Sequence, residues 1–439
     1  MQSPSPHRVI VIGGGAGGLE LAVRLGRAFK NSRRAEVTLV DRNLTHLWKP
    51  LLHEVAAGTL DSSVEAVDYL ALAHRHGFRF RPGTLIGVDR EMKQVRLAAV
   101  VDSDGRNVIP PDTLRYDTLL LAVGSRSNDF NTPGVRENCF FLDSRHQADR
   151  FHETLLNRFL ELQFGSRDGA APAQPLTVAI VGGGATGVEL AAELHHVGEK
   201  LKGFGFDHLA AGAPIRLTLI ESAPRILQAL PERVSRAAER QLRRMNIEVL
   251  TSCRALEVNP EAIRIDSGQA IRAALKVWTA GIKAPDLLSA LDRLETNPLH
   301  QLLVNPDLTT TRDPNIFALG DCAACPLPGG HQTVPPRAQA AHQQAALLAK
   351  SIVRRIDGKP PLPFVYTDYG SLVSMSRSSA GTLMGNLAGS FFVEGWLARI
   401  IYLSLYRSHQ LVLHGPRRTL LLMMMSLLTG RTQPRLKLH

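Results

Sequence analysis

The sequence predicts an α/β protein with two parallel-sheet domains and a helical, apolar C-terminal tail. Two observations carry the first half of that prediction. VIVIGGGAGGLELA at residues 9–22 returns as VAIVGGGATGVELA at 178–191, so one strand, glycine turn and helix occurs twice, 169 positions apart. Each copy is followed by a second apolar strand ending in an acid, EVTLVDR reaching Asp41 and RLTLIES reaching Glu221. The tail rests on RRTLLLMMMSLLTGR, residues 417–431, which has almost no polar face and arginine at both ends. At 439 residues and 44% hydrophobic, the chain is long enough for about three domain cores.

In the first copy Gly13, Gly15 and Gly18 stand between an apolar strand and a helix. That is where bare backbone can approach a pyrophosphate held at a helix N-terminus, while Asp41 accepts from the ribose hydroxyls. Gly182, Gly184, Gly187 and Glu221 repeat the set. A tight turn without ligand is the bland alternative, and the acid in both copies argues against it. These are Rossmann-like units, and two of them imply two dinucleotides, of which a flavin and a nicotinamide are the obvious pair. Glu221 would repel a 2′-phosphate and so favours NADH, although Arg225 stands close in sequence.

Between the copies, GSRDGAAPAQPL at 165–176 is small, polar and proline-containing and reads as a linker. Weaker strands follow in IEVLTSC, AIRID and KVWTAGI. After NIFALGDCA at 315–323, Pro335 and Pro336 predict a helix start, since proline fits a first helical turn. On that helix Gln339 and Gln343 share a face, with Ala338, Ala340 and Ala341 removing bulk around them. The result is a slot in which two amides can donate to the carbonyls of a flat quinone ring. The alternative is an alanine-rich helix that packs under the flavin on propensity alone. Past Gly358 a loop and a strand are expected, and then FFVEGWLARIIYLSLYR, 391–407, as a helix with no single polar face. Such a helix needs cover from the body, a second subunit in a homodimer, or lipid.

Charge and cysteine content narrow the classes. The net charge is +11, and from Phe391 onward seven basic residues (Arg399, Arg407, Arg417, Arg418, Arg431, Arg435, Lys437) face one acid (Glu394), so the tail holds six of the excess charges. A helix of about 13 residues at ~1.5 Å each cannot cross ~30 Å of hydrocarbon. Basic flanks around apolar blocks suit an element lying in the headgroup region of an anionic membrane, not a nucleic-acid strip. Four cysteines form no disulfide framework, and MQSPSPHRVIVIGGG passes into a strand without a signal peptide, so a reducing cytoplasmic setting is expected. Cys322 and Cys325 make a lone C-x-x-C, read as two small residues in the flavin domain with a redox disulfide as the alternative.

The chain resembles the bacterial type II NADH:quinone oxidoreductases, within the two-dinucleotide-binding-domain flavoproteins. The resemblance is carried by GGGAGGLE, HLWKPLLHEVA, YDTLLLAVGS, NDFNTPGV, VGGGATGVELAAELH, WTAGIKAPD, NIFALGDCA, AQAAHQ, GSLVSMS and PRLKLH. It implies that the second unit is inserted in the first: FAD-binding residues 1–125 and 291–335, an NADH-binding domain at 126–290, and a quinone-site and membrane-anchoring region at 336–439. It further implies FAD on Gly13, Gly15, Gly18, Asp41, Lys49, Gly124 and Asp321, and NADH on Gly182, Gly184, Gly187, Glu221 and Gly281. Quinone, ubiquinone or menaquinone, would meet Ala338, Gln339, Ala341 and Gln343. The implied reaction is hydride transfer from NADH to FAD and electron transfer to quinone without proton pumping, at the cytoplasmic face of the inner membrane. Glu189 gains an acid/base role alongside Gln339 and Gln343, yet Glu20 occupies the same place in the first copy, where any carboxylate suits the helix dipole. Two rivals stay open: a flavoenzyme with another donor or acceptor, such as a sulfide:quinone oxidoreductase acting through cysteines, and a basic NADH-binding sensor or nucleic-acid module. HLWKPLLHEVAAG, 46–58, lacks the cysteine pair that a disulfide reductase would carry there.

Overall fold

The computed structural model describes residues 5–102, 104–164, 175–201, 214–329, 332–375, 378–385, 389–394 and 406–429. Its first sheet is built on β1 (His7–Ile12), followed by α1 (Ala16–Phe29), β2 (Ala35–Asp41), the short helix α2 (Leu52–Ala57), β3 (Arg79–Pro82) and β4 (Thr118–Leu121). Val9 to Ile12 and Leu119 to Leu121 are buried, as expected of parallel strands covered on both faces. β1 lies between β2 and β4, with Val9 opposite Val37 on one side and Thr118 on the other.

The second sheet repeats the plan with β5 (Leu176–Val181), α3 (Ala185–Leu201), β6 (Ile215–Ile220), β7 (Glu248–Leu250) and β8 (Leu275–Trp278). Its order is β7–β6–β5–β8, all parallel, and Val178 faces Leu217 and Leu275. Only then does the chain return to the first sheet with β9 (Thr309–Thr310) and β10 (Asp313–Ala318), giving the order β9–β10–β4–β1–β2–β3. The second unit is thus inserted in the first. The cores interlock: Leu52, Val55 and Ala56 of α2 pack among Val188 and Leu190, while Ala284, Leu288 and Leu291 pack with the first sheet.

Helix α4 (Ala338–Ile356) begins just after the two prolines and packs along α1. Small residues let the two approach, since a Cβ added at Gly17 would stand 3.2 Å from that of Ala341. An antiparallel sheet follows, β11 (Gly370–Met375), β12 (Ser378–Gly385) and β13 (Gly389–Glu394). The helix expected over 391–407 is therefore corrected at its start. Phe391, Phe392 and Val393 pair with Leu383, Thr382 and Gly381 as a strand, the state that aromatic and β-branched side chains favour. Residues 395–405 lie outside the described residues.

The chain continues as α5 (residues 406–414) and α6 (Pro416–Thr429), separated by Gly415 at φ +78. The 14 residues of α6 span roughly 21 Å at ~1.5 Å each. No helix among the described residues is long and apolar enough to cross a membrane. From Leu420 to Met425 the side chains are 38–59% exposed, so this is not a buried core helix.

Candidate functional site

The two glycine turns are near copies in space. A Cβ at Gly18 would lie 1.9 Å from the Gly13 carbonyl oxygen, and one at Gly187 2.0 Å from that of Gly182, so both helices touch their own turns through glycine. Cβ atoms at Gly15 and Gly184 would instead meet open space. Gly15, which caps α1, has no side-chain partner bonded to the first turn, leaving its amides for an anion. The strand-end acids sit alongside. Asp41 Oδ2 accepts from the Gly14 amide at 2.7 Å, and Glu221 Oε2 from the Gly183 amide at 2.6 Å. Arg225 donates to the carbonyls of Leu227, Gln228 and Leu230, committing its guanidinium to its own loop.

Three distant segments close the first cradle. Lys49 Nζ donates to the Ser125 carbonyl (2.9 Å), and Ser125 Oγ donates to Asp321 Oδ2 (2.7 Å), bringing Lys49, the Gly124 turn and Asp321 together. Gly124 is left-handed at φ +69 with open space where a side chain would be. The Gly320 amide donates to Oε1 of Gln344, which is buried. Gln344 escaped the sequence reading because Gln343 precedes it, and only the rotation of α4 decides which amide meets this turn. The open turn, uncapped helix and converging donors fit a dinucleotide such as FAD. In the second domain, Gly281 is left-handed at φ +61 beside a short antiparallel crossover of residues 126–127 with 282–283.

Gln339 and Gln343 do share a face of α4, and that face holds the loop before β11. Gln339 Nε2 donates to Asp368 Oδ1 and the Gly370 carbonyl, both at 3.1 Å, and its Oε1 accepts from the Tyr369 amide. Gln343 exchanges both its amide groups with Thr367, at 2.7 and 3.0 Å. Ala338 is half-buried and Ala341 buried on the same helix.

The twin glutamates have different neighbours. Glu189, buried, stands 3.5 Å from Nδ1 of His53, a residue of α2 whose ring burial pushes down to about 4, leaving it neutral. Glu20 is fully buried against His409 of α5, His342 of α4 and Arg24. Nothing in the local sequence signals the two imidazoles at Glu20, which lie more than 300 residues away. Cys322 and Cys325 are buried free thiols, pushed up to about 11 by burial, the opposite of an activated thiolate.

Fold and cradles define a two-nucleotide oxidoreductase, and the family model for pyridine nucleotide-disulphide oxidoreductases matches residues 7–345. The chain is 43% identical to a type II NADH:quinone oxidoreductase of Haemophilus influenzae, over 98% of this chain and 99% of that one. It is 30% identical to a Mycobacterium tuberculosis enzyme of the same description, over 92% of this chain and 84% of the other. It therefore belongs to the type II NADH:quinone oxidoreductase family. Among solved structures, NDH2 from Plasmodium falciparum in complex with NADH superposes with a TM-score of 0.81 at 20% identity, covering 98% of this chain and all of that one. A sulfide:quinone oxidoreductase from Aquifex aeolicus shares the fold at a TM-score of 0.71 and 18% identity, over 93% and 92% of the two chains.

Proposed function

We infer that this chain oxidises NADH and passes the electrons through FAD to a membrane quinone, without proton pumping. The observation that carries this is the pair of interlocked nucleotide cradles in a chain of this family. FAD belongs in the first cradle, on Gly13, Gly15, Gly18, Asp41, Lys49, Gly124 and Asp321, and NADH in the second, on Gly182, Gly184, Gly187, Glu221 and Gly281. Bound there, the flavin supplies the two-electron chemistry that links the two substrates. The residues of the chain orient and enclose it. Glu221, with Arg225 turned away to its own loop, favours NADH over NADPH.

Glu189, 3.5 Å from His53 of α2, is our candidate for handling a proton between the two substrates. Gln339 and Gln343 shape the quinone site, with Ala338 and Ala341 leaving room for the ring; the loop 367–370 that they brace forms its wall. The exposed run Leu420–Met425, flanked by Arg417 and Arg418, suits the headgroup region of an anionic bilayer and would hold the enzyme peripherally at the cytoplasmic face. Docked so, the flavin domain meets an acceptor that lives in lipid.

The test is the absorption spectrum of purified protein titrated with NADH and then with a short-chain quinone. Yellow, bleached and yellow again is the expected sequence. A colourless protein that gains no activity when FAD is supplied would overturn the reading. Removing residues 416–439, which spares α5, should release the protein from anionic vesicles; retention would place the anchor elsewhere.

A further inference from the structure

Behind the first cradle lies a buried chain of imidazoles and one carboxylate that the reaction above leaves without a role. The Gly14 carbonyl accepts from the Tyr69 hydroxyl at 2.8 Å and from His46 Nδ1 at 2.9 Å. A carbonyl has no proton to give, so His46 carries a hydrogen on Nδ1, and because burial lowers the ring to about 3 and keeps it neutral, Nε2 presents a lone pair. His409 Nε2 stands 3.1 Å from that lone pair and must be the donor. Its other nitrogen, Nδ1, is 2.8 Å from Glu20 Oε1.

The state of Glu20 decides the rest. Burial raises its pKa, but the bonds from His342 and His409 together outweigh burial and hold it below the usual carboxylate range. His342 Nδ1 is 2.7 Å from its second oxygen, and the Arg24 guanidinium is 3.7 Å away. An ionised carboxylate only accepts, so His409 donates from Nδ1 as well. A hydrogen on both nitrogens lets the ring serve both acceptors at once, and it lies against Trp48 with centroids 4.2 Å apart and the planes tilted by 39°. Because the chain ends on a carbonyl, it cannot pass a proton onward. It is a tie, not a conduit.

His409 reaches this position from the far end of the sequence. Its helix, α5, is docked by the Arg27 guanidinium on the Val412 carbonyl and by His76 Nε2 on the Leu413 carbonyl, each at 2.8 Å. Tyr406 donates to Glu65 at the other end. We propose that His409 is a positioning residue of the flavin cradle: doubly protonated, it ties Glu20 of α1 to His46 and thereby sets the Gly14 peptide of the phosphate-binding turn. Cofactor retention then depends on the docking of the C-terminal region, the region that also carries the exposed apolar helix. The proposal rests on FAD occupying the first cradle.

The experiment uses the full chain, with His409→Ala, Glu20→Gln and, as a control on the exposed side of α5, Leu411→Ala. Flavin release after dilution is followed by the rise of free-flavin fluorescence. His409→Ala should release FAD about tenfold faster or more, the worth of a charged hydrogen bond, and Leu411→Ala within about twofold of the parent. The amide of Glu20→Gln can donate to a neutral His409 and preserve the tie, so its release should change by about threefold at most. Nitrogen-15 spectra of histidine-labelled protein at neutral pH, with the His409 ring assigned by substitution, supply a second readout: that ring protonated on both nitrogens in the parent, singly protonated in Glu20→Gln. A packing role alone would not move that signature. Unchanged release from His409→Ala, or no such ring in the parent, overturns the proposal. If His409→Ala fails to fold, the spectra of the parent and Glu20→Gln decide. Parent protein that never holds FAD would instead break the cofactor reading, while the spectra would still test the tie.

Discussion

Glu20 and Glu189 stand at the same step of the same repeated motif, and the fold gives them different work. Both follow a glycine turn by two residues, both lie in the first turns of a helix, and both are buried. Each turn is even pinned alike, by a strand-end acid on the amide of its middle glycine. The difference lies in what covers them. Glu20 is closed over by α4 and α5 and meets imidazoles from both, whereas Glu189 is met by His53 from α2, which crosses over from the first chain segment. One carboxylate is sealed as a structural anion; the other sits where the two domains join. A repeated sequence therefore repeats a cradle, while its neighbours decide its chemistry.

The widest separation of the two cradles should come from their glycines. Gly18→Ala drives a methyl into the Gly13 carbonyl and should yield protein without bound flavin. Gly187→Ala should stay yellow yet fail to bleach on NADH addition. Matching losses from both would break the assignment of one nucleotide to each cradle.

A pH series probes the rings beside them. Burial lowers His46 to about 3 and His53 to about 4, both below the ordinary 6.5 of the unfolded chain. The unfolded state then binds more protons between these values, so their contribution is complete above 6.5 and is lost as pH falls toward 4 and 3. At about 1.4 kcal/mol per pKa unit, the upper limit is about 3 kcal/mol for His53 and about 5 kcal/mol for His46. The urea midpoint should drop through this window, and His53→Gln should make the drop shallower; an unchanged slope would mean that His53 is not held neutral.

Smaller effects sharpen the contrast. Glu189→Gln should keep its flavin and lose on the order of tenfold or more in kcat for quinone reduction, the scale of a lost proton-transfer group. A change confined to KM for NADH would make it a binding residue only. Glu221→Gln should narrow the NADH over NADPH preference in kcat/KM by about tenfold, since Arg225 stays bound to its loop carbonyls. The least effect is expected from replacing all four cysteines by serine. Turnover within about twofold would agree with thiols that take no part in the electron transfer, and its loss would favour the cysteine-dependent rival.

Features written in contiguous residues were legible before the fold. The glycine turns, Asp41, Glu221, the start of α4 after Pro335 and Pro336, and the shared face of Gln339 and Gln343 all follow from spacings of a few residues. The strand at 389–394 was not, because a short aromatic and β-branched run reads equally as a buried helix or a strand until its partner is known. Gln344 was hidden by its neighbour. The commitment of both slot amides to the loop 367–370 was equally invisible, since spacing places a side chain on a face but not against a partner.

The sequence by itself determined the two glycine turns, the acid that ends each second strand and the apolar, basic tail, because backbone geometry and charge act within one strand, turn and helix. Only the tertiary structure decided that His409, His342 and His46 meet at Glu20, and that His53 meets Glu189. Those contacts join segments far apart in the chain, and their energies depend on burial, which no local pattern of residues records.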